Sequence, residues 1–409
     1  MRSFTGIVAG AAVLALSPVA GLAALAGTAM VGARPGVFTG TGLAVFASLF
    51  FLGLLLCVPR PGPAWGRWLR AALILAVEAA VVWQVAGATL TPPPVPVAAG
   101  PPVAGQREWR LATGSRLAYV RVAPKRVTRP EPVVFLSSGA GVADVATDPA
   151  FYRRLATDGY EVYVYDQVGT GRSARLPDPA AYGLGRDVAD LEQVRQAIGA
   201  RRLNLVARGG GARLAAAYLS VHPDGVARAV LASPAGLDQV RSASLLDDGP
   251  PGPRLLAVYT LLRVEPAAAH AFAGDAELDA RTAATAGSGD DTAAPCPPPP
   301  PLPASPKTTS TPAAADGSGR YASLVERPSP PGLRDGLARV TAPVLVVKGP
   351  CDGESWSAAT DVRRAIPGSG FAYAEGRAAY LGTVRAFLAD RAVPPYEAAA
   401  PPPGYLGPW

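Results

Sequence analysis

Histidine, cysteine and lysine are scarce in this chain of 409 residues. The two histidines, His222 and His270, leave little for general-base chemistry or for a zinc site built on imidazole ligands. Three cysteines are too few for a disulfide framework. The sequence therefore predicts neither a metal site nor a cofactor.

Charged residues are also few, at 17%, whereas hydrophobic residues make up 49%. That balance is too apolar for a fully solvated protein and too polar for a transporter with many spans. It predicts a membrane region joined to a soluble region. The net charge of +7 comes mostly from arginines dispersed along the soluble part. Dispersed arginine is typical of a solvated surface, so we expect no nucleic-acid partner.

Three apolar stretches dominate residues 1–90, and each has about the 20 residues that cross a bilayer core. They cover residues 6–31, 37–57 and 71–90. The first also has features of a cleaved signal peptide, but two further stretches follow it closely. The pattern predicts a multi-pass protein of the cell membrane that contacts membrane lipid.

The distribution of arginine predicts the orientation of these spans. Arg60, Arg67 and Arg70 lie between the second and third stretches, whereas Arg34 stands alone between the first and second. Cytoplasmic loops carry an excess of arginine and lysine. We therefore expect the N-terminus inside the cell and the soluble domain on the extracytoplasmic side.

The soluble part alternates strand-like and helix-like runs, which predicts an α/β domain with a mostly parallel sheet flanked by helices. An insertion interrupts it, and part of this insertion is too rich in Ala, Pro, Thr, Ser and Gly to bury a core, which predicts disorder. The predicted segments are a Pro-rich linker (91–105), the α/β core (106–240 and 333–392), the insertion (241–332, disordered over 282–319) and a Pro-rich tail (393–409).

One motif in the core is specific. The run Asp166-Gln-Val-Gly-Thr-Gly-Arg-Ser173 resembles the D-Q-x-G-x-G-R-S signature of the proline iminopeptidase branch of the α/β-hydrolases. The resemblance extends over about 117–233 and 342–388. It implies the α/β-hydrolase fold and hydrolysis of peptides or other acyl compounds by a Ser-His-Asp triad, with the insertion as a degenerate lid.

The resemblance also locates the nucleophile, which α/β-hydrolases carry in G-x-S-x-G on a strained strand-to-helix turn. The matching residues 207–211 read Ala-Arg-Gly-Gly-Gly, so Gly209 stands in the serine position. The family's oxyanion loop H-G-G-P-G corresponds to residues 137–141, which are altered. Backbone donors at Ser138, Gly139 and Gly210 are the implied oxyanion region.

The resemblance assigns Asp352 as the remnant of the triad acid. The histidine loop that should follow the strand 370–374 is missing, because Glu375 runs almost directly into the last predicted helix at Tyr380. A buried carboxylate without a partner is unfavourable. We therefore expect Asp352 to be solvated or bonded to backbone donors.

Other residues offer little rescue of the triad. His222 belongs to a structural His-Pro step, and His270 is expected to be exposed in the insertion. Ser137 or Ser138 is a conceivable displaced nucleophile, but neither has a visible base. Cys351 is expected to be a small buried residue. A phosphate-binding loop at 209–211 is disfavoured, since no Gly-Lys-Ser/Thr follows.

Three hypotheses for function remain. Losing a triad nucleophile or base costs about a million-fold in turnover, which favours a non-catalytic protein whose role is binding, with a small acyl or peptide compound as the candidate ligand, or that has no selected role. The first alternative is an active serine hydrolase or aminopeptidase, with displaced residues or with a faulty gene model, since the low-complexity segment resembles GC-rich DNA read out of frame. The second is a partner-docking module with an exposed apolar patch at the degenerate lid.

Overall fold

The structure, a computed structural model, describes residues 2–93, 103–136, 149–176, 181–238, 251–287 and 331–409. The chain divides into two compact units. The first contains Met1–Val95 and Ser244–Leu278, and the second contains Pro96–Ala243 and Asp279–Trp409. The oxyanion loop predicted at Ser138 and Gly139 lies outside the described residues.

Helices and strands have the following bounds. The helices are α1 (Arg2–Met30), α2 (Pro35–Cys57), α3 (Ala64–Leu90), α4 (Pro149–Thr157), α5 (Leu184–Ile198), α6 (Gly210–Val221), α7 (Pro253–Val264), α8 (Pro266–Gly287), α9 (Leu333–Leu337), α10 (Trp356–Ala365) and α11 (Gly376–Leu388). The strands are β1 (Gln106–Arg110), β2 (Arg116–Val122), β3 (Val133–Leu136), β4 (Val162–Tyr165), β5 (Leu203–Arg208), β6 (Val226–Ala232), β7 (Val344–Lys348) and β8 (Gly370–Tyr373).

Three helices of the first unit are long and apolar enough to span a membrane: Gly6–Met30, Pro35–Cys57 and Ala64–Leu90. The α1 and α2 backbones pack closely through small residues. A Cβ built on Gly10 would lie 2.6 Å from Cys57 Sγ, and one on Gly42 would lie 3.0 Å from the Gly21 carbonyl. Small residues allow this kind of approach between membrane helices. The three helices are compatible with membrane anchoring.

The third helix begins at Ala64, earlier than the predicted residue 71. Arg67 and Arg70 therefore lie in its first turns and not in a loop. The Arg70 guanidinium donates hydrogen bonds to the carbonyls of Leu55 (2.7 Å) and Val58 (3.0 Å) at the end of α2. The last carbonyls of a helix lack intrahelical partners, so the arginine satisfies two of them.

The insertion contributes α7 and the first part of α8 to the first unit. Helix α8 is broken at Gly274, whose φ is +76°. Residues 282–287, predicted to be disordered, form the end of α8, and the rest of that segment, 288–319, lies outside the described residues. The docking-module hypothesis stays a prediction.

A buried ion pair links α7 to α8. Arg254 and Glu277 are 6% and 2% exposed, and Arg254 donates to both carboxylate oxygens of Glu277 at 2.6–3.1 Å. Arg254 Nη1 also donates to the Thr89 carbonyl near the end of α3 (2.8 Å), and its guanidinium lies 4.6 Å from the Phe272 ring centroid. The Phe272 ring meets Phe38 of α2 edge-on at 6.2 Å. These contacts join the insertion helices to α2 and α3.

The second unit is built on an eight-stranded sheet in the order β1-β2-β4-β3-β5-β6-β7-β8. The pairs β1/β2 and β2/β4 are antiparallel, and every other pair is parallel. Strands β3, β4 and β7 are buried along their whole length, as expected when helices cover both faces. The predicted fold class, α/β with a mostly parallel sheet, is confirmed.

Helices pack on both faces of the sheet, and the loops that follow the parallel strands lie at the edge formed by the carboxyl ends of these strands. On one face, Phe151 of α4 and Val384 of α11 join Val206 and Val230 in one apolar core. On the other face, α6 contacts β3, β5 and β6. Strands β3 to β8 run in the same direction, so their carboxyl ends lie at one edge of the sheet, where open α/β sheets bind ligands.

Candidate functional site

The turn between β5 and α6 is sharp and is centred on Gly209, which has φ +50° and ψ −120°. Its N–H donates to the Ala232 carbonyl at the end of β6 (3.0 Å), and its own carbonyl accepts from Ala212 (3.1 Å). A side chain is strained at such a φ, which glycine tolerates. The backbone of a strand-to-helix elbow is therefore present, without a hydroxyl at its apex.

The first amides of α6 are incompletely satisfied. The N–H groups of Ala212 and Arg213 both donate to the Gly209 carbonyl (3.1 and 3.4 Å), but those of Gly210 and Gly211 have no acceptor among the described residues. Gly211 is buried and Gly210 is half-buried. Buried backbone N–H groups are rarely left unpaired, so the N–H groups at this end of the helix are available to donate hydrogen bonds to an acceptor group.

Asp352 follows β7 at the same edge of the sheet. One of its carboxylate oxygens accepts from the Gly349 N–H at 2.7 Å and lies 3.4 Å from Lys348 Nζ. The expectation that this carboxylate bonds to a backbone donor is confirmed. Lys348 is fully buried and donates to the Glu354 carbonyl at 2.7 Å. Burial lowers the pKa of Lys348, and the Asp352 carboxylate opposes this shift.

The Pro-rich tail packs directly on the loop that carries Asp352, residues 349–355 between β7 and α10, here called the acid loop. Leu406 N–H donates to the Pro350 carbonyl (2.8 Å), and Trp356 N–H donates to the Pro408 carbonyl (2.9 Å). The Tyr405 ring lies 5.6 Å from Lys348 Nζ. Burial raises the pKa of Tyr405 to about 12, with a smaller contribution from Asp352. No pattern in the sequence indicated that residues 393–409 would cover this loop.

Tyr380 lies in α11, the helix that follows β8 where the histidine loop was expected. Helix α11 begins at Gly376, so only Ala374 and Glu375 connect it to β8. The Tyr380 ring stacks on Phe151 with centroids 5.8 Å apart. Its hydroxyl is buried and has no hydrogen-bond partner among the described residues. Burial raises the pKa of Tyr380 to about 12, while the charge of Arg208 lowers this pKa and that of Asp352 raises it.

Neither histidine belongs to this edge of the sheet. His222 follows the last residue of α6, and its ring lies 5.1 Å from that of Tyr218. A helix of 12 residues is about 18 Å long, so His222 and Gly209 lie at opposite ends of α6. This ring contact agrees with the structural role, capping or packing, that the sequence predicts for His222. His270 is half-buried on α8, in the other unit, and the prediction that it is exposed was wrong.

The expectation for Cys351 was also wrong. Cys351 is half-buried and disulfide-bonded, not a small buried thiol. Cys57 is free, and Cys296 lies outside the described residues. The acid loop therefore carries a covalent cross-link next to Asp352.

Sequence reasoning missed Ser233, which directly follows β6. Ser233 has φ +43°, a conformation that costs a non-glycine residue about 1–3 kcal/mol. Its N–H donates to the Val347 carbonyl at 2.8 Å, and its hydroxyl is buried without a partner among the described residues. The preceding residue, Ala232, accepts the Gly209 N–H. A serine with a strained backbone thus neighbours the elbow, and no sequence motif identified it.

The motif on which the resemblance depends, residues 166–173, stabilises the local backbone. Thr170 Oγ1 donates to the Gln167 carbonyl (2.8 Å), and Ser173 Oγ accepts the Ala118 N–H from β2 (2.9 Å). Gly169 has φ +75°, and a Cβ there would lie 2.5 Å from the Tyr182 ring. The motif therefore shapes the turn after β4.

Comparison with known proteins agrees with this architecture. Residues 131–260 match the family model described as alpha/beta hydrolase fold. Proline iminopeptidase of Heyndrickxia coagulans is 35% identical over 103 residues, which are 25% of this chain and 35% of that protein. Proline iminopeptidase of Lactobacillus helveticus is 31% identical over 118 residues, or 28% and 39% of the two chains. The chain thus spans little more than a third of the length of these curated relatives.

Among solved structures, the proline iminopeptidase of Mycobacterium smegmatis aligns with a TM-score of 0.46 and 20% identity, over 70% of this chain and 98% of that chain. An esterase from Rhodococcus aligns with a TM-score of 0.46 and 19% identity, over 70% and 100% of the two chains.

Proposed function

We propose that this protein is a membrane-anchored ligand-binding protein and not a hydrolase. It has an α/β-hydrolase fold, resembles proline iminopeptidases and has three apolar N-terminal helices. Its ligand is a small acyl or peptide compound, held at the carboxyl edge of the sheet. Gly209 takes the place of the nucleophile and Asp352 that of the triad acid. Gly210 supplies a remnant oxyanion donor.

One observation carries this proposal. The elbow backbone keeps its sharp turn at Gly209, but the residue has no hydroxyl. Both histidines of the chain lie elsewhere: His222 at the far end of α6 and His270 in the other unit. Without nucleophile and base, the acyl transfer of this fold loses about a million-fold in rate. The hydrogen-bond donors for a ligand persist.

Labelling with a fluorophosphonate tests the absence of catalysis, because the probe bonds covalently to an activated serine oxygen and releases fluoride. We expect the detergent-solubilised full chain to label no more than its heat-denatured form. Gly209→Ser is also expected to stay unlabelled, since the new hydroxyl has no imidazole to activate it. An active serine hydrolase added to the same sample controls for probe quality, and circular dichroism verifies that the variant is folded.

Strong labelling of the unmodified chain would end the non-catalytic proposal. Ser233 favours a second candidate function, that of a serine hydrolase with a displaced nucleophile. Ser233 lies beside the elbow, its backbone is strained, and its buried hydroxyl has no hydrogen-bond partner among the described residues. Ser233→Ala would then abolish labelling. If labelling survives that substitution, another serine is responsible.

The soluble domain is proposed to face the extracytoplasmic side. The arginines near the start of α3 favour a cytoplasmic location for the α2–α3 connection. Because Leu90 and this connection lie at opposite ends of α3, the chain after Leu90 is then outside. The disulfide at Cys351 supports this side, because disulfides persist in oxidising compartments.

Thiol labelling of intact bacterial spheroplasts tests the orientation. We expect a membrane-impermeant maleimide to modify Cys351 only after treatment with an impermeant reductant, because the residue is outside but oxidised. Cys57→Ser serves as the background, since Cys57 lies at the end of α2. Modification of Cys351 that requires rupture of the membrane would contradict the proposed side.

A further inference from the structure

We infer that the acid loop, the start of α10 and β8 form a groove that binds an extended proline-rich peptide, and that the tail of this chain occupies the groove as an internal ligand. The partner is a protein that presents a segment of the same chemistry as residues 396–409, which read Tyr-Glu-Ala-Ala-Ala-Pro-Pro-Pro-Gly-Tyr-Leu-Gly-Pro-Trp. The residues that hold the tail, Pro350, Trp356 and Phe371, have no part in the ligand site proposed at the elbow. The inference therefore does not depend on the proposed function.

The tail is attached to the surface of the second unit and is not part of its core. Residues 396–409 contain no helix or strand, and all of them are half-buried or exposed. Leu406 is 41% exposed and Trp409 is 76% exposed, whereas Trp356 on the groove side is 3% exposed. A segment with few buried apolar contacts opens at low free-energy cost. The tail can therefore leave the groove without unfolding the sheet.

The groove binds the tail through backbone groups. Trp356 donates twice, from its N–H to the Pro408 carbonyl (2.9 Å) and from Nε1 to the Ala399 carbonyl (3.0 Å). The Pro350 carbonyl accepts from the Leu406 N–H (2.8 Å). Proline has no N–H, and an extended proline-rich segment makes no internal backbone hydrogen bonds, so its carbonyls are free to accept. The two donors of Trp356 match such carbonyls.

Aromatic rings line the groove. The centroid of the Trp356 ring lies 5.3 Å from that of Phe371 in β8 and 5.3 Å from that of Tyr405 in the tail. Tyr396, at the other end of the tail, lies 5.5 Å from Trp356, and its N–H donates to the Phe371 carbonyl (2.7 Å). Aromatic-lined grooves bind proline-rich segments because these segments are already extended and lose little conformational entropy on binding.

The closest approach of the tail to the acid loop is at Gly407. A Cβ on Gly407 would lie 2.7 Å from the Asp352 carbonyl oxygen, so a side chain there would force the two backbones apart. The Lys348 ammonium lies 5.6 Å from the centroid of the Tyr405 ring, within the range of a cation–π contact. The groove therefore favours a tyrosine and a glycine at these two places of a bound peptide.

Fluorescence anisotropy with a labelled synthetic peptide of residues 396–409 tests the inference. The peptide is added to the full chain in detergent, to the full chain with Leu406→Pro, and to a chain shortened to end at Pro395. Leu406→Pro removes the N–H that donates to the Pro350 carbonyl, so it weakens the internal ligand and leaves the groove unchanged. We expect both altered chains to bind the peptide at least about tenfold more tightly than the unmodified chain, because a tethered tail competes at high effective concentration.

Two matched variants, made in the Leu406→Pro chain, locate the binding. Trp356→Phe keeps an aromatic ring but removes the donor to the Ala399 carbonyl, so it should weaken peptide binding by roughly three- to tenfold. Trp65→Phe is the control, because Trp65 is 72% exposed on α3 of the first unit. It should leave the affinity unchanged. A peptide of the same composition in scrambled order should bind about tenfold more weakly or not at all.

Equal affinity of the peptide for the unmodified, Leu406→Pro and shortened chains would overturn the inference. So would equal binding of the scrambled peptide, or an unchanged affinity in folded Trp356→Phe. Loss of the folded circular dichroism spectrum in the shortened chain would overturn it as well, because the tail would then belong to the core. None of these results affects the non-catalytic proposal, which fails only if the fluorophosphonate labels the unmodified chain.

Discussion

Replacing Glu277 with alanine is expected to lower the free energy of unfolding of the first unit by about 3–5 kcal/mol, because it leaves the buried Arg254 cation without its carboxylate. Arg254 is 6% exposed, so water cannot replace the lost partner. Its bond to the Thr89 carbonyl and its contact with the Phe272 ring do not neutralise its charge. Denaturant titration of the detergent-solubilised full chain measures the loss.

Two further variants separate the ion pair from general effects of substitution. Replacing both Arg254 and Glu277 with methionine should recover most of the loss, since no buried charge then remains unpaired. Glu265→Ala, at the end of α7, removes a carboxylate that has no ion pair among the described residues. A loss in Glu277→Ala no larger than that in Glu265→Ala would contradict the role of the pair.

Replacing Trp356 with alanine is expected to destabilise the second unit by about 3–5 kcal/mol, the usual cost of removing a buried tryptophan. Trp356 is 3% exposed, and its Nε1 donates to the Ala399 carbonyl at 3.0 Å. Its ring lies within 5.3–5.5 Å of Phe371, Tyr396 and Tyr405. Its loss should therefore also release the tail from the acid loop.

Limited proteolysis and thermal unfolding measure the two effects together. We expect cleavage within residues 393–409 to become faster in Trp356→Ala than in the unmodified chain. Tyr405→Phe is the milder comparison, because it keeps the ring and removes only the hydroxyl bond to the Pro408 carbonyl. Equal cleavage rates in Trp356→Ala and the unmodified chain would show that the tail is held by other contacts.

Local sequence patterns predicted the sheet well. Strand β7 (Val344–Lys348) forms within the predicted α/β core, and the turn at Gly209 lies where the motif placed it. Both are specified by nearby residues: a run of β-branched side chains in the first case and consecutive glycines in the second. Conversely, α11 was predicted to begin at Tyr380 and begins at Gly376, since residues 376–379 (Gly-Arg-Ala-Ala) contain no large apolar side chain and carry little periodic signal.

The parts of the site that the sequence did not predict depend on contacts between distant segments. Tyr380 became notable only because its ring packs on Phe151 of α4 while its hydroxyl is buried without a partner among the described residues, and Ser233 only because its backbone is strained beside the elbow. The tail has no periodic pattern, so its bonds to Pro350 and Trp356 had no signal in the composition. Secondary-structure propensity and motif spacing do not predict contacts between residues that are far apart in the sequence.

Helix α7 belongs to the first unit, and its position in the chain between β6 and β7 affects how the sheet of the second unit forms. Strands β6 and β7 pair in parallel, although the chain between them contributes α7 to the other unit. Closing so long a loop has to overcome its entropy before any hydrogen bond between these strands forms, which makes such pairings slow. We therefore expect β1 to β6 to assemble early, with β7 and β8 added as the late step of folding.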